Sequence, residues 1–106
     1  MNIYKLENFT KGWFVGDFAP SLFKTKQFEV GFLTRTNGAV EPLHYHRFST
    51  EITLVIKGKI KIHGKNFEAG DIFIVEPWEV VDPEILEDTQ LCIIKVPSIP
   101  GDKYII

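Results

Sequence analysis

The chain has 106 residues, which is enough for one domain with a single hydrophobic core. Its hydrophobic share of 44% and charged share of 25% are those of an ordinary globular protein and exclude a disordered chain. The net charge is −2 and the 12 Lys and Arg residues are spread along the chain, so we predict no basic face for nucleic acid.

The cysteine content and the hydropathy pattern predict where the protein works. Cys92 is the one cysteine, so no intrachain disulfide can form and a reducing compartment is favoured. The first residues lack the apolar stretch of a signal peptide, and no apolar run approaches the roughly 18 residues that a membrane helix needs. We therefore expect a cytoplasmic protein without a membrane partner. Cys92 lies in the middle of an apolar run, and we expect a buried, unreactive thiol.

Short β-rich runs separated by turn residues fill the chain, and no stretch shows helical apolar periodicity. The predicted strands are 27–35, 51–57, 59–63, 71–75 and 89–96. The predicted turns are 36–38, 57–59, 63–66 and 69–71. Turns this frequent are typical of a β-sandwich, jelly roll or closed barrel. In the run DIFIV the four residues after Asp71 are all apolar, so both faces of the strand are apolar. This predicts a strand that is covered on both sides.

The chain divides into three parts within one domain. We predict an N-terminal arm over about 1–26, a barrel over about 27–97 and a tail over 98–106. The arm is rich in aromatic residues and should pack on the barrel as short strands and turns. Pro97 immediately precedes the tail, and Pro100 lies within it. We therefore predict that the tail runs irregularly over the surface.

The tripeptide His44-Tyr45-His46 is the strongest chemical signal in the chain. Residues i and i+2 of a strand point to the same face, so both imidazoles can reach one point in space. Glu51 follows at the start of the next apolar strand, where a tight connection would bring its carboxylate beside the two rings. Two imidazoles and one carboxylate suit Fe(II), Mn, Ni or Zn, and with open positions they form the ligand set of non-haem iron sites. An isolated pair of histidines in a strand is otherwise a common surface feature.

The spacing of these residues and of two glycines resembles the first sequence motif of the cupin superfamily at every fixed position: Gly38, His44, His46, Glu51 and Gly58. Gly70-Asp71 followed by Pro77 resembles the start of the second cupin motif. The segments GWFVGDFAPSL and LEDTQLCIIKVPSIPGDKY look like a group of small stand-alone bacterial and phage cupins. The resemblance implies an all-β fold, the cupin double-stranded β-helix or RmlC-like jelly-roll barrel.

One departure from the family pattern concerns the fourth metal ligand. Cupin metal sites are usually completed by a histidine of the second motif, near positions that are Val81 and Asp82 here. Asp82 could ligate through its carboxylate, or it could be a turn residue before Pro83. The third histidine, His63, is expected to be a solvated turn residue. The predicted metal ligands are therefore His44, His46 and Glu51, and the fourth is Asp82, water or absent.

The resemblance leaves three functions open, because fold alone does not select one. In the first, a divalent metal held by these residues acts as a Lewis acid or binds dioxygen, and the substrate is a small polar molecule such as a carbohydrate derivative or a carboxylic acid. In the second, a metal-free cupin of the sugar-nucleotide isomerase or epimerase kind uses His44 or His46 as a catalytic general base. In the third, the barrel binds a small ligand without catalysis.

The alternation of side chains along the predicted strand 51–57 predicts a homodimer. If Glu51 faces the barrel interior, then Ile52, Leu54 and Ile56 face outward and need cover. Either the aromatic arm or a second subunit could supply it. We expect a two-fold dimer, the commonest closed assembly.

Overall fold

The computed structural model describes all 106 residues, and its regular elements are eleven short strands and two single turns of 3₁₀ helix. No helix in the chain is long and apolar enough to span a bilayer. The 3₁₀ turns cover Leu6–Asn8 and Thr10–Gly12. The strands are β1 (Trp13–Gly16), β2 (Phe23–Lys24), β3 (Glu29–Arg35), β4 (His44–Tyr45), β5 (Thr50–Lys57), β6 (Lys59–Ile62), β7 (Lys65–Glu68), β8 (Ile72–Val75), β9 (Glu84–Ile85), β10 (Thr89–Val96) and β11 (Tyr104–Ile105).

The five predicted strands are confirmed as β3, β5, β6, β8 and β10, and β10 matches its predicted bounds at both ends. The predicted turn at 63–66 is tighter than expected. His63 and Gly64 alone make it, both with positive φ (53° and 75°), and β7 begins at the next residue. Gly58 also has a positive φ of 95°, and a Cβ there would come within 2.4 Å of the Asp88 carbonyl oxygen. The backbone at this position therefore requires glycine, which explains why the motif has a glycine here.

Two layers of strands face each other across the core. The first layer is a six-stranded sheet in the order β2-β1-β3-β10-β5-β8. The second contains the sheet β7-β6-β9 and the pair β11-β4. Two isolated bridges, Val40 to Glu84 and His44 to Val81, join these two parts of the second layer. The result is an all-β jelly-roll barrel, as predicted.

The core lies between the layers and is built from alternate residues of their strands. Both layers contribute to one cluster of buried side chains: Leu33, Val55, Ile60, Ile62, Val75, Val81, Ile85, Leu91 and Ile93. On β5 the inward set also includes Glu51 and Thr53, so the predicted orientation of Glu51 toward the interior is confirmed.

Strand β3 turns two of its apolar residues outward, whereas Leu33 faces the core. Val30 and Phe32 lie on the outer side, while Glu29 and Gly31 are buried. Glu29 is held there by the hydroxyl of Ser98, which donates to its carboxylate at 2.7 Å. Gly31 is required because a Cβ would meet the ring of Trp13 at 2.7 Å.

The outer face of the six-stranded sheet is apolar and uncovered in the single chain. Ile52 and Leu54 pair with Ile74 and Ile72 of β8, which are 54% and 66% exposed. The prediction that β8 is covered on both sides is therefore wrong for the single chain. The N-terminal arm adds β1 and β2 to the edge of the sheet instead of covering this face.

Cys92 lies on the same outer face, opposite Leu54 and Phe32 on the neighbouring strands. Its side chain is partly exposed, so the predicted full burial of this thiol is wrong. The inward positions on either side belong to Leu91 and Ile93, which leaves the cysteine on the outer side of the pleat.

The C-terminal tail is also more ordered than predicted. Its last strand, β11, pairs with β4 so that Ile105 lies opposite His44 and Tyr104 opposite Tyr45. Asp102 is buried, 5% exposed, and its carboxylate accepts backbone N–H bonds from the turn that follows His46. The tail is therefore part of the second layer.

Candidate functional site

The two histidines of the tripeptide project into the barrel together, as predicted from the strand geometry. Their ring centroids are 5.6 Å apart and the rings are nearly perpendicular. His44 is 7% exposed and His46 is 1% exposed. The backbone of β4 is fixed on both sides, by β11 and by the bridge from His44 to Val81. The pair is therefore held on a rigid element.

The hydrogen bond of His44 determines which of its nitrogens is available. Nδ1 lies 2.7 Å from the carbonyl oxygen of Pro42. Because a carbonyl oxygen only accepts, Nδ1 must carry the proton in the neutral ring. The lone pair is then on Nε2, and a ring oriented in this way is ready to bind a metal or take a proton.

His46 is buried with a polar atom that has no partner. Its Nδ1 is inaccessible to solvent and forms no hydrogen bond. Burial, together with the nearby charges of Lys95 and His44, lowers the pKa of His46 to about 4. The ring is therefore neutral near pH 7, which is the form that ligates a metal.

Glu51 enters the same space from β5, where its direct cross-strand neighbour is Lys95 of β10. Burial raises the pKa of this carboxyl above its usual value, and the attraction of Lys95 only partly offsets that effect. Two residues along the strand, the hydroxyl of Thr53 is also buried without a hydrogen-bond partner. Orphaned polar groups are rare in folded proteins and point to a missing ligand, ion or water.

These side chains line one cavity of about 290 Å³. Its deep wall is apolar and includes Ile60, Val75, Val81, Ile85 and Ile93. Its polar lining comprises Lys11, Arg35, Glu41, His44, His46, Glu51, Thr53, Lys95 and Lys103. A pocket with an apolar body and a few convergent polar groups is typical of a small-molecule site.

The three residues fit a divalent metal in the kind of donor they offer: a free Nε2, a second buried neutral imidazole and a carboxyl group. Their arrangement is more open than a closed metal site, because no three His, Cys, Asp or Glu side chains stand close enough to share an ion. At least one of the three side chains would have to turn toward the others to complete the set.

Asp82 lies outside the cavity, so the structure does not support it as a fourth ligand. It is exposed, and its carboxylate accepts the backbone N–H of His63 at 3.2 Å. Val81 is the residue of this pair that lines the cavity, and it is 2% exposed. The position next to His44 is thus apolar. His63 is an exposed turn residue, as predicted.

Several site residues escaped the sequence reasoning. Five polar residues of the lining come from three separate regions of the chain, and no local motif connects them: Lys11, Arg35, Glu41, Lys95 and Lys103. Lys95 could have been found from the alternation of β10, since it shares the inward parity of Leu91 and Ile93. Trp78 lies outside the lumen, where it stacks on Tyr45 at 5.4 Å between ring centroids.

The known proteins that match this chain are solved structures with a similar fold. No protein-family model and no curated protein sequence matches the chain. An uncharacterized conserved protein with a double-stranded beta-helix domain from Klebsiella pneumoniae superposes with a TM-score of 0.71 at 19% identity, over 98% of this chain and 90% of that one. KdgF from Halomonas sp. gives 0.64 at 21% identity, over 71% and 74%. An RmlC-like cupin protein from Ralstonia eutropha JMP134 gives 0.63 at 19% identity, over 77% and 57%.

Proposed function

We propose that this chain, which has the cupin double-stranded β-helix fold, binds a small polar molecule in its lumen next to a divalent transition metal held by His44, His46 and Glu51. One observation carries the proposal: all three residues line the same cavity. The Pro42 carbonyl orients His44 with its Nε2 free, and the buried Nδ1 of His46 has no partner.

The donor set suits Fe(II), Mn, Ni or Zn. When bound, such a metal would supply a Lewis acid for an oxygen-bearing substrate or a site for dioxygen. Three protein ligands without a second-motif histidine would hold it less tightly than four, and Asp82 is not part of the proposed set. The substrate class proposed at this level is a carbohydrate derivative or a carboxylic acid.

A metal-free reaction is the second candidate, and it is favoured by the open spacing of the three donors. In that case the Nε2 of His44 would be the general base, because its lone pair is fixed toward the cavity by the Pro42 hydrogen bond. A binding protein without catalysis would use the same cavity.

Two further parts of the proposal concern the surroundings of the chain. We propose a homodimer formed through the apolar outer face of the six-stranded sheet, where Ile72 and Ile74 are the most exposed residues. A cytoplasmic setting stays a prediction, for which the single thiol is the supporting observation.

Elemental analysis of untagged protein, followed by a turnover screen, separates the candidates. The metal proposal expects a transition metal that co-purifies at up to about one per chain and is lost in a His44→Ala variant. Turnover by chelator-stripped protein would favour the metal-free reaction. Saturable ligand binding with no turnover in either form would favour the binding protein.

A further inference from the structure

The side chains that line the lumen have a charge balance opposite to that of the whole chain. Four cationic side chains line the cavity against two acidic ones. The whole chain has the opposite balance, with 12 Lys and Arg against 14 Asp and Glu. The lining therefore carries a positive excess in a protein whose overall charge is negative, and a low-dielectric cavity strengthens such a field.

Lys95 is the most buried of these cations, and no carboxylate oxygen lies within hydrogen-bond distance of its ammonium. Its side chain is only 17% exposed, and its ammonium lies 3.9 Å from the nearest Glu29 carboxylate oxygen. That distance is too long for a hydrogen bond, and a charge-assisted pair would be near 2.8 Å. The ammonium also lies 5.0 Å from the centroid of the Trp13 ring, which is a cation–π contact. A buried ammonium without a close acceptor is costly unless an anion joins it.

Two more cations, both partly exposed to solvent, share a single carboxylate of the lining. Arg35 Nε donates to one oxygen of Glu41 at 3.0 Å, and Lys103 Nζ donates to the other at 3.4 Å. Although burial of Glu41 opposes ionisation, the hydrogen bond from Arg35 and the charge of Lys103 outweigh it and hold its pKa below the usual value. One negative charge is therefore placed between two positive ones, which leaves a positive excess on this partly exposed side of the lining.

A neutral hydroxyl donor also lies in the buried part of the cavity. The Thr53 hydroxyl is 1% exposed and has no hydrogen-bond partner, although it lies on the inward face of β5 next to Glu51. A hydroxyl proton needs an acceptor, and an anionic oxygen is the strongest one. Cation and donor thus face the same space.

We propose that the ligand of this lumen is a small carboxylic acid whose carboxylate is bound by Lys95 and whose entry is favoured by Arg35 and Lys103. The inference rests on the proposed small-molecule function and narrows its substrate class. A volume of about 290 Å³ is at the lower end for ligand cavities and suits an acid of few carbon atoms. Two carboxylates would match the excess of two cations. No glycine-rich loop of backbone N–H groups, the usual cradle of a phosphate, lines the cavity.

The test uses matched acids and amides, because the two have nearly the same shape and differ in charge. Chelator-stripped protein is titrated by calorimetry with malonate, succinate and glutarate, beside malonamide, succinamide and inorganic phosphate. At least one diacid should bind at least about tenfold tighter than its diamide and than phosphate, and its affinity should fall with added salt. Equal binding of acid and amide, tighter binding of phosphate, or no binding of any acid would overturn the proposal.

Variants locate the contact. Lys95→Gln should weaken the diacid at least about tenfold, Lys95→Arg should retain most of the affinity, and Lys61→Gln, on the exposed side of β6, should change nothing. Thermal melts check that each variant folds. If Lys95→Gln folds and binds the acid as well as the wild type, the assignment to Lys95 is wrong. A parallel metal titration keeps the proposals apart, since metal binding without acid binding would contradict only this inference.

Discussion

The carboxylate of Asp102 accepts the backbone N–H of Ser49 at 2.9 Å, across a sequence separation of 53 residues. The same carboxylate accepts the N–H groups of Arg47 at 2.9 Å and Phe48 at 3.0 Å. These three donors form the turn that joins His46 to Glu51. The C-terminal tail thus holds together the two segments that carry the proposed metal ligands.

Asp102→Asn should destabilise the fold, because the amide keeps one acceptor oxygen and loses the charge. Although burial opposes ionisation of Asp102, the N–H donors of Arg47, Ser49 and Phe48 hold its pKa below the usual value. Hydrogen bonds to a charged group are each worth about 1.5–3 kcal/mol, so we expect a loss of about 2–4 kcal/mol in urea unfolding. Asp82→Asn, at an exposed carboxylate, is the control and should cost less than about 1 kcal/mol. Equal stability of Asp102→Asn and wild type would rule out this role of the tail.

His46 should make the metal-free protein less stable in mild acid. Its pKa falls from 6.5 to about 4 on folding, so the unfolded chain binds the proton more readily over that range. Stability should therefore drop by about 2–3 kcal/mol from pH 7 to about pH 4.5 because of this group. Denaturant melts of wild type and His46→Gln at both pH values measure it, with His63→Gln as control. The prediction fails if His46→Gln shows the same pH dependence as the wild type.

Glu51→Gln should stabilise the metal-free protein near neutral pH. Burial raises the pKa of this carboxyl in the folded state, so ionisation disfavours folding as the pH rises through the raised value. Below 4.5 the carboxyl is protonated in both states and the variant should gain nothing. We expect a Tm increase of roughly a few degrees at pH 7 that disappears in acid. Glu84→Gln, at an exposed carboxyl, should not show it. A Glu51→Gln variant that melts lower at pH 7 would contradict the assigned burial effect.

The outer face of the six-stranded sheet should form the dimer contact. Light scattering is expected to give about twice the chain mass of 12.2 kDa at micromolar concentration. Ile74→Glu should give monomers, because it places a charge in the centre of the contact, while Ile3→Glu on the arm should stay dimeric. Cys92, on the same face, should react with a thiol reagent faster in the Ile74→Glu monomer than in the wild type. A wild-type protein of monomer mass would disprove the contact.

Local patterns predicted most of the barrel because its strands are short, alternating and bounded by turns. β10 was predicted at both ends since Thr89 and Val96 flank an unbroken β-prone run. What failed depended on contacts distant in sequence. The order of the tail comes from Asp102 reaching the 47–49 turn, and the inward position of Glu29 depends on Ser98. Neither Asp102 nor Ser98 belongs to an alternating pattern from which these contacts could be predicted.

The site was predictable in its local part only. His44 and His46 are brought together by the two-residue repeat of a strand, and Glu51 by its register. The sequence left Asp82 open, as a ligand or as a turn residue, because a spacing rule cannot tell which of two adjacent residues faces inward at a turn. The bridge from His44 to Val81 decides it in favour of the apolar residue. The cationic lining could not be read from the sequence, since the topology alone brings its members together.

Calorimetric metal titration tests the central claim most directly. Chelator-stripped wild type, His44→Ala, Glu51→Gln and the control His63→Ala are titrated with Fe(II), Mn(II), Ni(II) and Zn(II). The account predicts saturable binding of about one metal per wild-type chain, unchanged in the control and weakened at least tenfold, about 1.4 kcal/mol, in each of the other variants. Binding of none of the four metals, or equal binding by wild type and variants, would contradict the metal site and make the metal-free reaction the leading account.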